Sequence, residues 1–513
     1  NFIDSAHLDS QKHLPSDVLN NKARNTYYFL PFLLGLLGFV FLSMKSERQT
    51  WVILVLFLFT GLALKIYLNE RPFEPRERDY ALVGSFYAFT IWIGLGVYAL
   101  FSAVRKYIHP NIAATAATVL SLIAVPAVMA YQNWDDHDRS QKYSAEFIAD
   151  AYLESVAENK DAMIFTIGDN DTFLLWYAQE IEGYRTDVRV INTSLLQTDW
   201  YIDQMKRQAY QSTPIPGQLV HKQYAHGVRE AIYYQKRTDN RWNIKDFVNW
   251  ITSDDPSTRT SRGAGEYKQD FYYYPTNKLR IPVNKENVLK SGIVKPEDAD
   301  KIVDYIDIAL PGAIDKARIV MLDILANNDW KRPIYFTGGS MDSAEYLWMK
   351  DYLQLDGLVY KLVPIKTPID KNNPYDMGRI DSELMYNIVK RWTWGNMGKE
   401  GIYLDPETRK NSIIFRGNLA RLTEQLIAEG KAAKASEIID IAMKNMPVDA
   451  YGYYFTLDPF IEGSYKVGKR EQARAIALQV IKKYQEELNY YTHLPAGELN
   501  SNAKRIQYCI DRY

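Results

Sequence analysis

Three short stretches of this chain carry residue types that do chemistry. Glu74-Pro-Arg-Glu-Arg-Asp79 sets Arg76 and Arg78 beside Glu77 and Asp79, with Arg71 just before them. Arginine stays charged, and its planar fork fits two phosphate oxygens at once, so this loop can hold a phosphate or pyrophosphate. It can equally neutralise itself as a salt-bridged turn. Trp134-Asp-Asp-His-Asp-Arg139 crowds Asp135, Asp136, His137, Asp138 and Arg139 together. One imidazole among three carboxylates can bind a divalent metal or move protons. It can equally be a polar junction tying the soluble domain to the membrane. Gly168-Asp-Asn-Asp-Thr172 holds Asp169 and Asp171 in an Asp-x-Asp pair, which can grip Mg²⁺ or Mn²⁺ under a sugar-nucleotide phosphate. The competing reading is that Asp171 or Thr172 caps the next helix while Asp169 makes an Asx turn. Asp199-Trp200 follows the next strand and would share the same sheet edge, where pockets form in α/β folds.

These stretches need elements to position them. Four segments are long enough to cross a bilayer, which takes about 20 mainly apolar residues. They are Thr26–Met44, Trp51–Leu68, Tyr80–Val104 and Pro110–Trp134, the last containing Pro126. Tyr27, Tyr28, Trp51, Tyr67, Tyr80, Tyr131 and Trp134 lie at their ends, as an aromatic belt requires. Four crossings put residues 1–25, the 69–79 loop and everything after 134 on one side. The short turns on the other side carry Lys45, Arg48, Arg105 and Lys106, so the positive-inside rule makes that side cytoplasmic. The large C-terminal part is then expected in the periplasm, with the chain in a bacterial inner membrane. Residues 1–25 lack the apolar core of a signal peptide and read as an extracytoplasmic loop.

Residues 135–400 read as an α/β domain. Ala162–Ile167 and Asp187–Ser194 are apolar, β-branched runs, with helical patterns at 143–158, 173–182 and 198–210. That alternation predicts a βαβ unit and a parallel sheet. Further strands are expected at Pro333–Phe336 and Leu358–Pro364. Residues 212–315 are Tyr-rich and weakly periodic, and read as long surface insertions. Residues 401–513 read as helical. Gly430-Lys-Ala-Ala-Lys-Ala435 and Gly468-Lys-Arg-Glu-Gln-Ala473 resemble each other at an offset of 38 residues, close to a tetratricopeptide period. The two readings here are a plain helical cap and a TPR-like concave surface for partner proteins.

Composition removes several classes. Lys plus Arg is 61 against 62 for Asp plus Glu, a net charge of −1, so no basic field exists for nucleic acid. The single cysteine, Cys509, rules out a disulfide framework and any CxxC metal site. No Walker A, GxGxxG, GxSxG or HExxH pattern occurs. Asp4-Ser-Ala6 and Asp342-Ser-Ala344 resemble bacterial O-glycosylation acceptor sites.

Taken together the motifs resemble one family. They include Leu33-Leu-Gly-Leu-Leu-Gly38, Pro75-Arg-Glu-Arg-Asp-Tyr80, Trp92-Ile-Gly-Leu-Gly96, Asn133-Trp-Asp-Asp-His-Asp-Arg-Ser140, Gly168-Asp-Asn-Asp-Thr-Phe173, Arg185-Thr-Asp-Val-Arg-Val190 and Thr198-Asp-Trp-Tyr-Ile-Asp-Gln204. The family is that of Bacteroidota polytopic membrane proteins (domain of unknown function 2723), grouped with eukaryotic transmembrane protein O-mannosyltransferases as glycosyltransferase family 117. The resemblance is close over residues 1–210, where one departure is Leu174 in place of the family's usual proline, and extends only to layout beyond. It implies a partial GT-C membrane domain and a lipid-linked, polyprenyl-phosphate sugar donor. It also implies extracytoplasmic acceptor proteins modified on Ser or Thr. Family members are about twice as long, so the resemblance puts the catalytic acid upstream, on an N-terminal half or companion chain. The donor phosphate is then expected at Arg76, Glu77, Arg78 and Asp79. The alternative is a membrane-anchored scaffold that binds partners through its helical repeats.

Overall fold

The computed structural model describes residues 13–69, 78–262, 269–337, 346–369 and 377–513. The chain divides into two compact units, one ending at Ser140 and one beginning at Gln141. The tripeptides at Asp4 and Asp342 lie outside the described residues, as do Arg76 and Glu77 of the expected donor loop.

Among the described residues, the first unit has four helices long and apolar enough to cross a membrane: Tyr27–Lys45, Glu47–Leu68, Asp79–Val104 and Pro110–His137. Their regular parts are α1 (Leu30–Lys45), α2 (Glu47–Leu58), α3 (Val83–Val104) and α4 (Pro110–Leu122). The four long helices, rather than these regular parts alone, match the expected spans within a few residues at each end. Ser46, in extended conformation, separates α1 from α2 and caps α2 by accepting from the Gln49 N–H. Pro126 does not end its helix. A π-type turn over Ile123–Ala127 absorbs the lost N–H, and the helix resumes at Val128. Small residues set how closely the helices approach. Gly38 faces the Trp92 carbonyl and Gly96 faces the Leu34 carbonyl, so α1 and α3 touch backbone to backbone. Ser85 of α3 donates to Phe57 O of α2 at 3.0 Å.

The second unit is built on a five-stranded sheet. β1 (Met163–Thr166), β2 (Arg189–Asn192) and β10 (Ile334–Thr337) run parallel, with β1 in the middle. β12 (Val359–Leu362) pairs antiparallel with β10, and β11 (Leu353–Asp356) forms the edge beyond it. The sheet is therefore mixed, where a parallel one was expected. Every residue of these five strands is buried, which is why they read as short apolar runs. The helices α5 (Ser144–Glu154), α6 (Asp169–Glu180) and α7 (Asp199–Met205) intervene. α6 starts four residues before the expected Phe173, and α7 stops at Met205, short of the expected Tyr210.

The expectation of surface insertions over 212–315 does not hold. This stretch forms β3 (Ala231–Tyr234), β4 (Trp242–Asn243), β5 (Arg259–Arg262), β6 (Gln269–Tyr274), β7 (Lys278–Pro282), β8 (Tyr305–Ala309) and β9 (Ile314–Asp315). They make two further sheets, ordered β5-β6-β3-β9 and β4-β7-β8. The helix α8 (Ile244–Thr252) packs Phe247, Val248 and Ile251 into a core shared with Ile232, Tyr274 and Leu279. The pairings are distant in sequence, such as Ala231 with Asp315, so no local period announces them. α9 (Lys316–Asn327) then leads into β10, with buried Asp323 accepting the Gln218 and Leu219 N–H groups.

The C-terminal part is helical: Pro406–Ala428, Ala432–Asn445, Asp458–Lys466 and Arg470–Thr492, then Ala503–Arg512. Gly430 and Gly468, at φ +74° and +85°, make the turns before the second and fourth of these helices. Those are the two similar stretches seen in the sequence, and each needs a left-handed residue after a helix end. Fully buried Arg416 donates to Met446 O and Gly452 O and ties the hairpins together.

Candidate functional site

In the first unit the junction residues gather around one carboxylate. Asp136 is 4% exposed. Its Oδ2 accepts from Asn25 Nδ2 at 3.1 Å, its Oδ1 lies 2.6 Å from His137 Nδ1, and its carbonyl accepts from Arg139 at 2.8 Å. Asn25 also donates to Asn133 Oδ1, which receives the Tyr27 hydroxyl at 2.7 Å. Gln132 Oε1 accepts the backbone N–H groups of Thr26 and Tyr27. Asp138 accepts the Ser140 N–H at 2.9 Å, which holds its carboxyl below the usual carboxylate range. This is a polar latch between the start of the first apolar helix and the end of the fourth. It uses Asp136, with His137 and Arg139 bonded to it, inside the first unit rather than between that unit and the soluble part. It also brings residues 25 and 136 to the same end of the bundle, as four crossings require. Beside the latch lies a groove of about 640 Å³, lined by Lys22, Asn25, Tyr131, Gln132, Trp134 and Asp135. Of the expected donor loop, Arg78 and Asp79 are described, and Asp79 lies 3.8 Å from Lys65 at the end of the second apolar helix.

In the second unit the carboxyl ends of β1, β2 and β10 converge. Asp171 reaches back over the β1–α6 turn. Its Oδ2 accepts the Ile167 N–H at 2.9 Å and the Thr337 hydroxyl at 2.5 Å, and its Oδ1 accepts the Gly168 N–H at 3.1 Å. Thr166 and Thr172 share a hydrogen bond at 2.6 Å, and Asn192 donates to Thr172 at 2.8 Å. Asp171, the third residue of α6, thus closes the N-terminus of the helix by accepting from the N-cap Gly168 and from Ile167 before it. Asp169 is exposed at the first helical position, with no hydrogen bond among the described residues. The two carboxylates of the Asp-x-Asp pair therefore do different things. The oxygens that Mg²⁺ or Mn²⁺ would take from Asp171 already hold N–H and O–H donors. Among the described residues, no group of three or more His, Cys, Asp or Glu side chains is arranged to hold a metal ion.

Asp171→Ala is expected to lower the stability of this unit by about 2 kcal/mol, because two backbone N–H groups lose their acceptor. Asp169→Asn is expected to change it by less than about 0.5 kcal/mol, as for an exposed site. Thermal unfolding of the two variants checks this pair.

Asp199 and Trp200 lie beyond β2. Asp199 accepts the Trp200 N–H at 2.7 Å and the His226 N–H at 3.0 Å, and these bonds hold its carboxyl below the usual range. Trp200 is 55% exposed. One turn further, Asp203 accepts the Tyr224 hydroxyl at 2.7 Å and faces His221 Nδ1 at 2.9 Å. No motif marks Asp203 in the sequence beyond its spacing of one helical turn from Asp199. A further carboxylate, Asp150, lies on α5. Burial, then the charges of Glu182, Glu146 and Glu154, raises that carboxyl to about 6, where it exchanges protons near neutrality. No local motif marks Asp150; only the packing of α5 against α6 does.

The segment that carries these strands is similar to a known family. Residues 145–384 match the family TMEM260-associated domain 2. Neither the curated proteins nor the solved structures compared return a match. The match to TMEM260-associated domain 2 begins at the start of α5 and runs through all three sheets. It takes in Asp150, Asp171, Asn192, Asp199 and Thr337. The 212–315 sheets fall inside it as well, so they are part of what resembles that family.

Proposed function

We propose that the chain is a membrane protein O-glycosyltransferase, or the C-terminal half of one. It would move a sugar from a polyprenyl-phosphate donor to Ser or Thr of an extracytoplasmic protein. The observation that carries this reading is one chain joining two parts. Four helices suited to a bilayer precede a segment that matches a family tied to TMEM260, a candidate O-mannosyltransferase. In the reaction the acceptor oxygen attacks the sugar's anomeric carbon, the bond from that carbon to phosphate oxygen breaks, and a carboxylate takes the hydroxyl proton. The leaving polyprenyl phosphate needs cations near the membrane surface, a task suited to Arg76 and Arg78. The groove beside the latch, lined by Lys22, Tyr131 and Trp134 among others, suits a lipid headgroup. The second unit would hold the acceptor. The helical hairpins of the C-terminal part, as a TPR-like surface, would recruit it.

The intact masses of exported proteins, with and without this chain, test the reading. Loss of sugar-sized increments is expected when the chain is absent. Arg78→Ala is expected to cut transfer at least tenfold while the protein still inserts. Unchanged masses after complete removal would sink the transferase reading.

A further inference from the structure

The second unit contains a cleft that belongs to none of the stretches above. It has a volume of about 560 Å³, within the range of small-ligand pockets (roughly 300–1,000 Å³), and lies between β4, α8 and the turn after α8. Two indoles form its apolar wall. Trp242 and Trp250 stand 5.5 Å apart at 73°, edge to face. Trp250 donates its N–H to Tyr273 O at 2.8 Å, and its ring packs on Tyr273 at 5.8 Å, so it is fixed in place. Trp242 is half-buried, and its N–H has no acceptor among the described residues.

The rim is made of planar polar groups. Asp246 is exposed and has no ion pair or hydrogen bond among the described residues. Asn249 accepts from Gln218 at 2.8 Å through Oδ1, which leaves its amide N–H groups to donate. Asp255 accepts the Ser257 N–H at 2.8 Å, and Ser257 holds its carboxyl below the usual range, so it remains an acceptor at physiological pH. Arg241 lines the cleft but is already engaged: it donates to Leu279 O at 3.1 Å and lies 3.4 Å from Asp307.

This inventory narrows the ligand class. Two carboxylates stand at the rim, and the cleft's arginine is already engaged, so anions such as phosphates and nucleotides are disfavoured. A hydrocarbon would make no use of the carboxylates and amide at the rim. A neutral molecule with an apolar flat face and a ring of hydroxyls satisfies both walls. Its C–H face stacks on indole, and vicinal hydroxyls bridge a carboxylate or an amide. We infer that the Trp242–Trp250 cleft is a non-catalytic binding site for a neutral oligosaccharide. The inference does not rest on the transferase reading, since a sugar could be held here by a protein that transfers none.

The full chain in phosphatidylethanolamine–phosphatidylglycerol nanodiscs, free of glycolipid and sugar-headed detergent, is the material for the test. Mannotriose, cellotriose and chitotriose are titrated by calorimetry and saturation-transfer NMR. At least one is expected to bind. Asp246→Ala, an exposed change, is expected to weaken it several-fold without moving the unfolding midpoint. Trp242→Ala is expected to weaken it at least tenfold. No binding by any of the three sugars at millimolar concentration overturns the proposal. So does binding that both variants leave intact. The binding assay and the mass assay are separate, so either reading can fail while the other stands.

Discussion

Gly38→Leu is expected to prevent the first unit from assembling. A Cβ on Gly38 would sit 1.7 Å from Trp92 O and 2.6 Å from Gly96 N, and a Cβ on Gly96 would sit 2.1 Å from Leu34 O. The obstructing atoms are backbone, so no rotamer change relieves the clash. The two helices must separate along their length, and the aromatic contacts around Trp92 go with them. These include Phe39 at 5.1 Å and Phe57 at 5.4 Å. Overpacking of a core costs about 1–3 kcal/mol where side chains can yield, and a backbone clash exceeds that range. In a bilayer no hydrophobic force compensates, because separated helices are solvated by lipid that is equally apolar. Gly94 supplies the control, since nothing lies within 4 Å of a Cβ built there. Size-exclusion profiles and thermal aggregation of the purified protein should show Gly38→Leu and Gly96→Leu failing, with Gly94→Ala unchanged.

Lys361→Met is expected to be the most damaging single change of polarity in the second unit. Lys361 on β12 and Asp356 on β11 form an ion pair with side chains 6% and 1% exposed, at 2.8 Å. Gln354 donates to the other Asp356 oxygen at 2.8 Å. Removing one partner leaves an unpaired buried charge, which costs about 3–5 kcal/mol. The double change Asp356→Leu with Lys361→Met removes both charges and should recover most of that loss, with a remainder from Gln354. A drop in melting temperature of roughly 4–6 °C for the single variant, largely reversed in the double, is the expected pattern. Equal losses in both would mean that the residues act by shape rather than by charge.

The parts of the fold that could be read in the sequence share a physical property. Thr26–Met44 and the other three spans are legible because a bilayer demands about 20 apolar residues whatever surrounds them. β1, β2 and β10 are legible because strands buried on both faces are apolar throughout, as in Met163-Ile-Phe-Thr166 and Ile334-Tyr-Phe-Thr337. The glycines at 430 and 468 are legible because a left-handed turn after a helix has few other solutions. The 212–315 sheets were illegible for the converse reason. β4 and β9 are two residues long, and their partners lie far away, so their stability comes wholly from packing.

The candidate sites divide in the same way. Composition alone determined that Asp136, His137, Asp169 and Asp171 stand in polar clusters at element ends. It could not choose between chemistry and architecture, because a carboxylate that caps a helix and one that binds a cation have the same local sequence. The tertiary structure supplies donors to them from elsewhere in the chain. Asn25 comes to Asp136 across 111 residues, and Thr337 comes to Asp171 across 166. The Trp242–Trp250 cleft had no motif at all, since it exists only where β4 meets α8. What the sequence by itself determined is the membrane anchor, the buried strands and the glycine turns, each dictated by solvent or by local backbone geometry. What only the tertiary structure decided is which polar groups are already partnered, because hydrogen bonds are satisfied in space and not along the chain.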